Sequence, residues 1–312
     1  MNRFFSFPFA ALTLALAAMP AYAVEAPKPK APEIPPFEVA QPYPNLWYGR
    51  FGSTNCSWID TGDGVLVVDT GATAADAKNL KAEIARTTKD KPVKWIAMTD
   101  MHADSNNGLA TFLPTEATIF ANAHATGILA TSFAQGKTKK PTVIGVSDRI
   151  ALVAGTRVFE IGVPAGNAHT AFDLYVFDAS TRTVFVGDLV TPDHCPILSD
   201  PDCDLKGWIA ALDQLDTLGA QGLVPTHLNP TPAVVSEIDK TRHYLASMLA
   251  FLVEKKKQNA PEARVSGELA AEKLADYCPR ELGALNALSV YRRLMSDGTT
   301  RPGSAAAKPA PK

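Results

Sequence analysis

The sequence predicts a mixed α/β fold, because short apolar strands alternate with segments whose apolar residues recur at helical spacing. Hydrophobic residues make up 46% and charged residues 20% of the 312 residues, which are the proportions of a globular domain with a substantial core. Tight turns such as Asp63-Gly64 separate pairs of apolar runs, a pattern typical of β-hairpins. Strands and helices in mixed order therefore define the expected fold class.

Each element has a local signal. Ala77, Leu80 and Ile84 recur at helical spacing and predict a helix over residues 74–88. Pro279 is expected to break the last helical segment. In chain order we expect strands at 56–60, 65–69 and 93–98, the helix at 74–88 between the last two, a strand at 117–120, a helix at 124–133, strand pairs at 149–153 with 157–163 and at 174–177 with 183–186, a helix at 205–218, a strand at 222–224, and helical segments at 232–257 and 267–295.

The first residues predict export. Residues 1–23 contain one early cation, then an apolar run, then Ala21-Tyr22-Ala23, which is the pattern of a signal peptide cleaved after Ala23. Prolines interrupt the apolar run, and it is shorter than the roughly 20 residues that span a membrane. We therefore expect a periplasmic or secreted protein.

The segments on either side of the folded unit are poor in large apolar residues or rich in proline. Residues 24–44 predict a Pro-rich linker, and residues 297–312 predict a disordered tail. Lys and Arg number 30 against 32 Asp and Glu, so the formal net charge of −2 gives no basic excess for nucleic acid. We expect a small-molecule substrate as the partner, with neither nucleic acid nor a membrane.

Histidine and aspartate follow predicted strands at four separated places. Asp100, His102 and Asp104 occupy alternate positions in the loop after the strand at 93–98, so their side chains are able to converge on one point. One such residue alone is more often a turn former or a helix cap than a ligand, but four successive cases indicate a metal site. The other three residues are His169 after the strand at 157–163, Asp188 after 183–186, and His227 after 222–224.

These residues resemble the metal-binding pattern of the metallo-β-lactamase superfamily: His-x-His-x-Asp, an isolated His, a Cys or Asp at a strand end, and a last His. The resemblance covers about residues 45–230. It implies a four-layer αββα sandwich of two mixed β-sheets with the metals at one edge. Residues 231–296 are left as a C-terminal helical extension, which we expect to pack on this domain.

Two positions depart from the family pattern. Asp100 stands where the family has its first His, and Ser105 stands where many hydrolases of the superfamily have another His. Asp188 agrees with the thioester- and lactone-hydrolysing members, whereas the broad-spectrum two-zinc β-lactamases carry a Cys near that position. The motif therefore mixes the patterns of different branches.

The resemblance implies how the ligands divide between two metals. Asp100, His102 and His169 would form one site, and Asp104, His227 and Asp188 the other, with Asp188 also able to bridge. One or two Zn²⁺ ions are expected, and the number of carboxylates leaves Mn²⁺ or Fe²⁺ open.

The implied activity is hydrolysis of an ester, thioester, lactone or β-lactam amide by metal-bound hydroxide, which Asp104 would orient. Two alternatives remain open. One is a non-catalytic or accessory periplasmic protein that binds a metal or small molecule, linked to a quinoprotein or sulfur-oxidation pathway. The other is a true class B-like β-lactamase.

Further polar residues and the four cysteines complete the prediction. Ser105, Asn106 and His194 are candidates for groups behind the ligands or at the substrate, although loop capping is an equal reading for the first two. In an exported protein a local Cys195–Cys203 disulfide is favoured, which leaves Cys56 and Cys278 as the second pair. Four cysteines allow three connectivities, and Cys195 as a metal ligand is the alternative.

Overall fold

The computed structural model describes residues 38–113, 116–134, 140–192, 195–269 and 278–296. Several predictions lie outside these ranges: the signal peptide at 1–23, the linker up to residue 37, His194, and the tail at 297–312. Within the described ranges, no helix is both long and apolar enough to cross a membrane.

The first sheet has seven strands and begins as a meander. Its first four strands pair antiparallel and its last four pair parallel, so the sheet is mixed. The helix α1, Ala74–Thr88, connects two of the parallel strands and is capped by the Thr73 hydroxyl, which accepts from the Asp76 amide. In spatial order the strands are β1 (Glu38–Tyr43), β2 (Leu46–Phe51), β3 (Thr54–Asp60), β4 (Val65–Val68), β5 (Val93–Ala97), β6 (Thr118–Asn122) and β7 (Thr142–Val146).

The strand β1 corrects the prediction of an irregular linker over residues 24–44. It lies at the edge of the sheet, and its register with β2 shifts between Ala40 and Tyr43, the stretch that contains Pro42. An edge strand tolerates proline because one side of its backbone needs no partner. Proline content therefore did not exclude a strand here.

The second sheet has five strands, four antiparallel and one parallel. Its spatial order runs from the last strand back to the first: β12 (Gly222–Pro225), β11 (Thr183–Gly187), β10 (Tyr175–Asp178), β9 (Arg157–Gly162) and β8 (Arg149–Ala154).

Helices cover the outer faces of both sheets. Near the first sheet lie the short helices α2 (Ala103–Asn106) and α3 (Leu109–Phe112) and the helix α4 (Thr126–Ala134). Against the second sheet pack α5 (Leu205–Asp216), α6 (Val234–Lys257) and α8 (Arg280–Ser296), and α7 (Glu262–Leu269) adjoins them.

Three buried apolar clusters define the layers. One contains Ile59 from the first sheet together with Phe159 from the second, so the two sheets pack face to face. A second lies between the first sheet and α1, around Trp58. The third lies between the second sheet and the helices α5, α6 and α8, around Trp208. The predicted four-layer sandwich of two mixed sheets is confirmed.

A buried ion pair reinforces the second sheet. Arg157 on β9 contacts Asp178 on β10, and their side chains are 8% and 0% exposed. Asp178 also accepts from the Ser180 amide at 3.0 Å, and Arg157 donates to the Asn45 carbonyl at 3.2 Å. Because Asn45 lies in the turn between β1 and β2, this contact also joins the two sheets.

The disulfide pairing differs from the expected one. Cys195 is joined to Cys278, whereas Cys56 and Cys203 are free and buried. Cys56 lies on β3, in the apolar cluster between the first sheet and α1. Cys278 belongs to the cluster between the second sheet and the C-terminal helices, so these two side chains cannot meet. The bridge also removes Cys195 as a metal ligand, because a disulfide sulfur carries no thiolate.

Candidate metal centre

The loop that carries the first ligands follows β5, and the buried carboxylate of Asp69 holds it in place. Asp69 accepts from the Thr99 amide at 2.8 Å, from the Thr99 hydroxyl at 2.7 Å and from the Asn106 side chain at 3.1 Å. Burial, and then the charge of Asp100, raises the pKa of Asp69 to about 8. These bonds fix the loop that carries Asp100 and His102.

Asp100 and His102 lie side by side at the end of this loop. One oxygen of the buried Asp100 carboxylate accepts from the His102 amide at 3.0 Å, and the other lies 3.4 Å from His102 Nδ1. The Asx-type bond to the backbone orients the carboxylate towards the imidazole.

His169 and Asp188 approach the same point from the second sheet. Asp188 Oδ2 lies 3.8 Å from His102 Nδ1 and 3.9 Å from His169 Nδ1. Asp188 follows Gly187, which adopts a φ of 58° and packs so closely on Thr99 that a Cβ would lie 2.8 Å from it. The glycine therefore allows the end of β11 to meet the loop after β5.

These four residues form a compact ligand set. One donor atom from each of Asp100, His102, His169 and Asp188 lies within 4.8 Å of the others. The sequence-predicted first site is thus brought together, with Asp188 added to it.

His227 and Asp104 lie at the other side of Asp188. His227 Nε2 is 3.1 Å from Asp104 Oδ2 and 3.7 Å from Asp188 Oδ1, while its Nδ1 is 2.9 Å from the Ser53 carbonyl. Because a carbonyl only accepts, Nδ1 carries the proton, and Nε2 faces the carboxylates.

The loop that carries His227 is fastened by Asn55 on β3. The Asn55 amide nitrogen donates to the Pro225 carbonyl at 2.9 Å and to the Leu228 carbonyl at 2.6 Å. Leu228 has a φ of 66°, so the chain reverses sharply just after the histidine. This clamp holds the turn around His227.

Two orphaned atoms test whether a cation fits the cluster. His169 Nδ1 and Asp188 Oδ1 are buried and have no hydrogen-bond partner among the described residues. Buried polar atoms without partners are uncommon because desolvation is costly, and a role in binding an ion is one ordinary explanation. Imidazole nitrogens with carboxylate oxygens are the donors that Zn²⁺ and neighbouring divalent metals accept, so the residues present fit a metal.

The electrostatics of the cluster are those of paired imidazoles and carboxylates. Hydrogen bonds to Asp100, then Asp188 and Asp200, raise the pKa of His102 far above its usual value. The hydrogen bond to Asp104 raises the pKa of His227 to about 9, and the same bond lowers the pKa of Asp104. A metal that binds here must displace any protons that these ligands carry.

The neighbouring polar residues support the ligand loop. The buried Ser105 hydroxyl lies 3.5 Å from Asp100 Oδ2, and Asn106 donates to Asp69 and to the Asp100 carbonyl. Both side chains therefore contact the residues behind or beside the metal ligands.

Asp200 is a site residue that sequence reasoning missed. Its carboxylate lies 3.3 Å from His102 Nε2 and 3.6 Å from His169 Nε2, and the hydrogen bond from His102 lowers its pKa. It lies in an irregular segment with no strand before it, so the strand-end signal that marked the other ligands is absent. Trp208 was also not identified from the sequence as a neighbour of the site, although its ring centroid lies 5.1 Å from that of His169.

Comparisons with known proteins concern the family and the fold of the chain. A family model described as the metallo-beta-lactamase superfamily matches residues 49–227. A search of curated protein sequences found no match.

Solved structures with similar folds include β-lactamases and an alkylsulfatase. A metallo-beta-lactamase from Pontibacter korlensis is 24% identical, with a TM-score of 0.57 over 67% of this chain and 99% of that one. The TMB-1 structure is 18% identical, with a TM-score of 0.57 over 69% of this chain and 99% of that one.

The inverting sec-alkylsulfatase Pisa1 from Pseudomonas sp. is 17% identical, with a TM-score of 0.67 over 88% of this chain but only 52% of the sulfatase. These identities show a shared fold, and the substrates named for those proteins remain theirs. The family model, in contrast, matches more than half of the chain, and on this evidence the chain belongs to the metallo-β-lactamase superfamily.

Proposed function

We propose that this protein is a metal-dependent hydrolase that uses zinc. The observation that carries the proposal is the convergence of Asp100, His102, His169 and Asp188, whose donor atoms lie within 4.8 Å of one another. Family membership adds support, because metallo-β-lactamase-fold proteins are generally hydrolases. The carboxylate-rich donor set keeps Mn²⁺ and Fe²⁺ as alternatives to be measured.

The ligands divide around Asp188. Its Oδ2 faces the two imidazoles of His102 and His169, and its Oδ1 faces His227, so this carboxylate lies beside both predicted sites. Asp100 completes the first site and Asp104 the second. A second ion would therefore share Asp188 with the first.

A divalent ion held here would supply hydroxide at neutral pH and polarise the bond under attack. Asp104 is the residue that orients the nucleophile, since its side chain is 42% exposed while its Oδ2 is held by His227. Its carboxylate is then able to accept the proton of the attacking water. The buried Asp100 and Asp188 have no comparable access to solvent.

The substrates to test follow from this chemistry and from the neighbours. Esters, thioesters, lactones and β-lactams all present a carbonyl to the nucleophile, and the β-lactam arm tests the class B-like alternative. The fold neighbour Pisa1, described as a sec-alkylsulfatase, adds alkyl sulfate esters to the panel.

We further propose an exported location, either periplasmic or secreted. The support is the Cys195–Cys278 disulfide, which is typical of oxidising compartments, together with the signal-like residues 1–23. Sequencing the amino terminus of the protein from an expressing cell tests the cleavage after Ala23.

The deciding experiment combines metal analysis with turnover on the substrate panel. Wild-type protein should contain one or two equivalents of zinc, and His102→Ala should lose metal and turnover together. His124→Ala is the matched control, because that histidine is exposed and its imidazole has no hydrogen-bond partner among the described residues, its backbone amide donating to the Asn122 side chain.

Two results would redirect the proposal. Protein that binds no divalent metal, or a His102→Ala variant that keeps full turnover, would contradict the metal site. Stoichiometric metal without turnover of any substrate would favour the accessory-protein alternative, which the replacement of the family's first His by Asp100 supports.

A further inference from the structure

One carboxylate outside the family's ligand pattern contacts both imidazoles of the first site. Asp200 Oδ1 lies 3.3 Å from His102 Nε2, within hydrogen-bond distance, and Asp200 Oδ2 lies 3.6 Å from His169 Nε2. The two rings are themselves neighbours, with centroids 5.0 Å apart in an edge-to-face arrangement. A single side chain therefore faces the same ring atom of both residues.

The opposite nitrogens of the two rings face the buried carboxylates. His102 Nδ1 and His169 Nδ1 lie 3.8 and 3.9 Å from the same oxygen, Asp188 Oδ2. His102 Nδ1 also lies 3.4 Å from Asp100 Oδ2. The His102 ring thus points Nδ1 towards the ligand set and Nε2 towards Asp200. His169 Nδ1 also lies 4.0 Å from Asp173 Oδ1, which is outside the ligand set.

This arrangement determines which ring nitrogen is free to bind metal. A neutral imidazole binds a metal through the nitrogen that carries no proton, and the protonated nitrogen then needs an acceptor. A carboxylate at that acceptor position fixes the tautomer, locks the ring orientation and makes the ring a stronger donor.

We propose that Asp200 is a positioning residue that holds His102 as an Nδ1 ligand by accepting from its Nε2 atom. The proposal rests on the proposed function, because it needs a metal at the cluster of Asp100, His102, His169 and Asp188.

The segment that carries Asp200 is fastened to the C-terminal helix α8. The Leu198 amide donates to Asn286 at 2.9 Å, and Arg293 donates to the Leu198 carbonyl at 2.7 Å. The Cys195–Cys278 disulfide anchors the start of the segment just before α8. Helix α8 lies beyond residue 227, where the family match ends, yet it supports a contact to two ligands.

The far end of the segment is tied to the loop of His169. Asp202 accepts from the Ala171 amide at 2.7 Å, two residues after the histidine, and its carbonyl accepts from the Asn167 side chain at 3.1 Å. The Asp204 amide donates to the Ala168 carbonyl at 3.0 Å. These hydrogen bonds therefore hold the segment of Asp200 against the loop that carries His169.

Zinc affinity tests this role separately from activity. Competition with a chromophoric chelator should show zinc affinity weakened about 10-fold in Asp200→Asn and up to about 100-fold in Asp200→Ala, the range seen when partners behind metal ligands are removed. Asp148→Asn is the matched control and should bind zinc as the wild type does, since that side chain is 86% exposed.

Nitrogen-15 NMR of the histidines gives a second readout that a merely structural role would not change. In zinc-loaded wild-type protein, His102 should show a metal-bound Nδ1 and a protonated Nε2. In Asp200→Ala the Nε2 proton of His102 should exchange faster with solvent.

The outcomes separate this inference from the proposed function. Wild-type protein that binds no zinc would overturn both. Zinc binding that is unchanged in Asp200→Asn and Asp200→Ala, or metal bound through Nε2 of His102, would overturn the role of Asp200 alone.

Discussion

The sandwich and the C-terminal helices contribute to the metal centre in different ways. In the sandwich, the ligands follow strand ends, and buried side chains hold their loops by hydrogen bonds to the backbone. Asp69 accepts from the Thr99 amide, and Asn55 donates to the Pro225 carbonyl before His227. The C-terminal helices supply none of the six predicted ligands. They reach the site through one irregular segment, which Asn286 and the Cys195–Cys278 disulfide hold in place.

This difference shows how helices that lie beyond the region matched by the family model are able to influence the candidate metal centre. Strand ends give precise positions because each strand is hydrogen-bonded to at least one neighbour in its sheet. A residue on an irregular segment, such as Asp200, is positioned only as precisely as the contacts that hold that segment. We therefore expect substitutions in the sandwich to change stability or ligand placement directly, and substitutions in the helical region to act through the loop.

The largest expected effect in the sandwich follows removal of its buried ion pair. Asp178→Ala leaves Arg157 buried without its charge partner, so we expect a loss of about 3–5 kcal/mol in the free energy of unfolding. Urea denaturation measures it. The exposed Asp148→Ala should change little, and an Asp178→Ala variant as stable as that control would show that the pair does not hold the second sheet.

The matching test of the helical region is the disulfide. Cys278→Ser opens a bridge between residues 83 apart in sequence, and we expect it to lose about 2–5 kcal/mol of unfolding free energy. Wild-type protein measured in a strong reductant should show the same loss. If reduction changed neither stability nor zinc affinity, the loop would not depend on its tether.

A smaller effect is expected at the clamp of the His227 loop. Asn55→Ala removes two hydrogen bonds to buried or partly buried carbonyls, so about 1–3 kcal/mol should be lost, together with affinity for the second metal. Asn229→Ala, which removes an exposed bond from Arg50, serves as the control. Equal losses in the two variants would mean that the clamp has no special role.

The last prediction concerns the number of reactive thiols, and it tests the pairing of Cys195 with Cys278 directly. Burial raises the pKa of Cys203 to about 12 and raises that of Cys56 well above its usual value, so neither thiol should react in the folded protein near neutral pH. Denatured, non-reduced protein should label two thiols. A count of zero would instead restore two disulfides.

Sequence reasoning was most successful where the signal is local. The helix at 74–88 was predicted with the bounds that the structure shows, because the spacing of its apolar residues lies within one stretch of chain. The strand-end positions of His102, His169, Asp188 and His227 were likewise readable, and the structure brings them together.

What could not be predicted depends on contacts between distant segments. The strands β1 and β7 lie at the two edges of the first sheet, and edge strands carry weak patterns. Cys195 pairs with a residue 83 positions away rather than with nearby Cys203. Asp200 faces two histidines from an irregular segment, and no spacing rule indicates that.

The most direct test of the metal centre is a crystal structure of the full chain grown with zinc, with anomalous differences recorded at the zinc edge. We expect a zinc ion bound by Asp100, His102, His169 and Asp188, with donor atoms at about 2.0–2.2 Å. Zinc bound elsewhere, or this cluster without zinc at saturating concentration, would contradict the assignment.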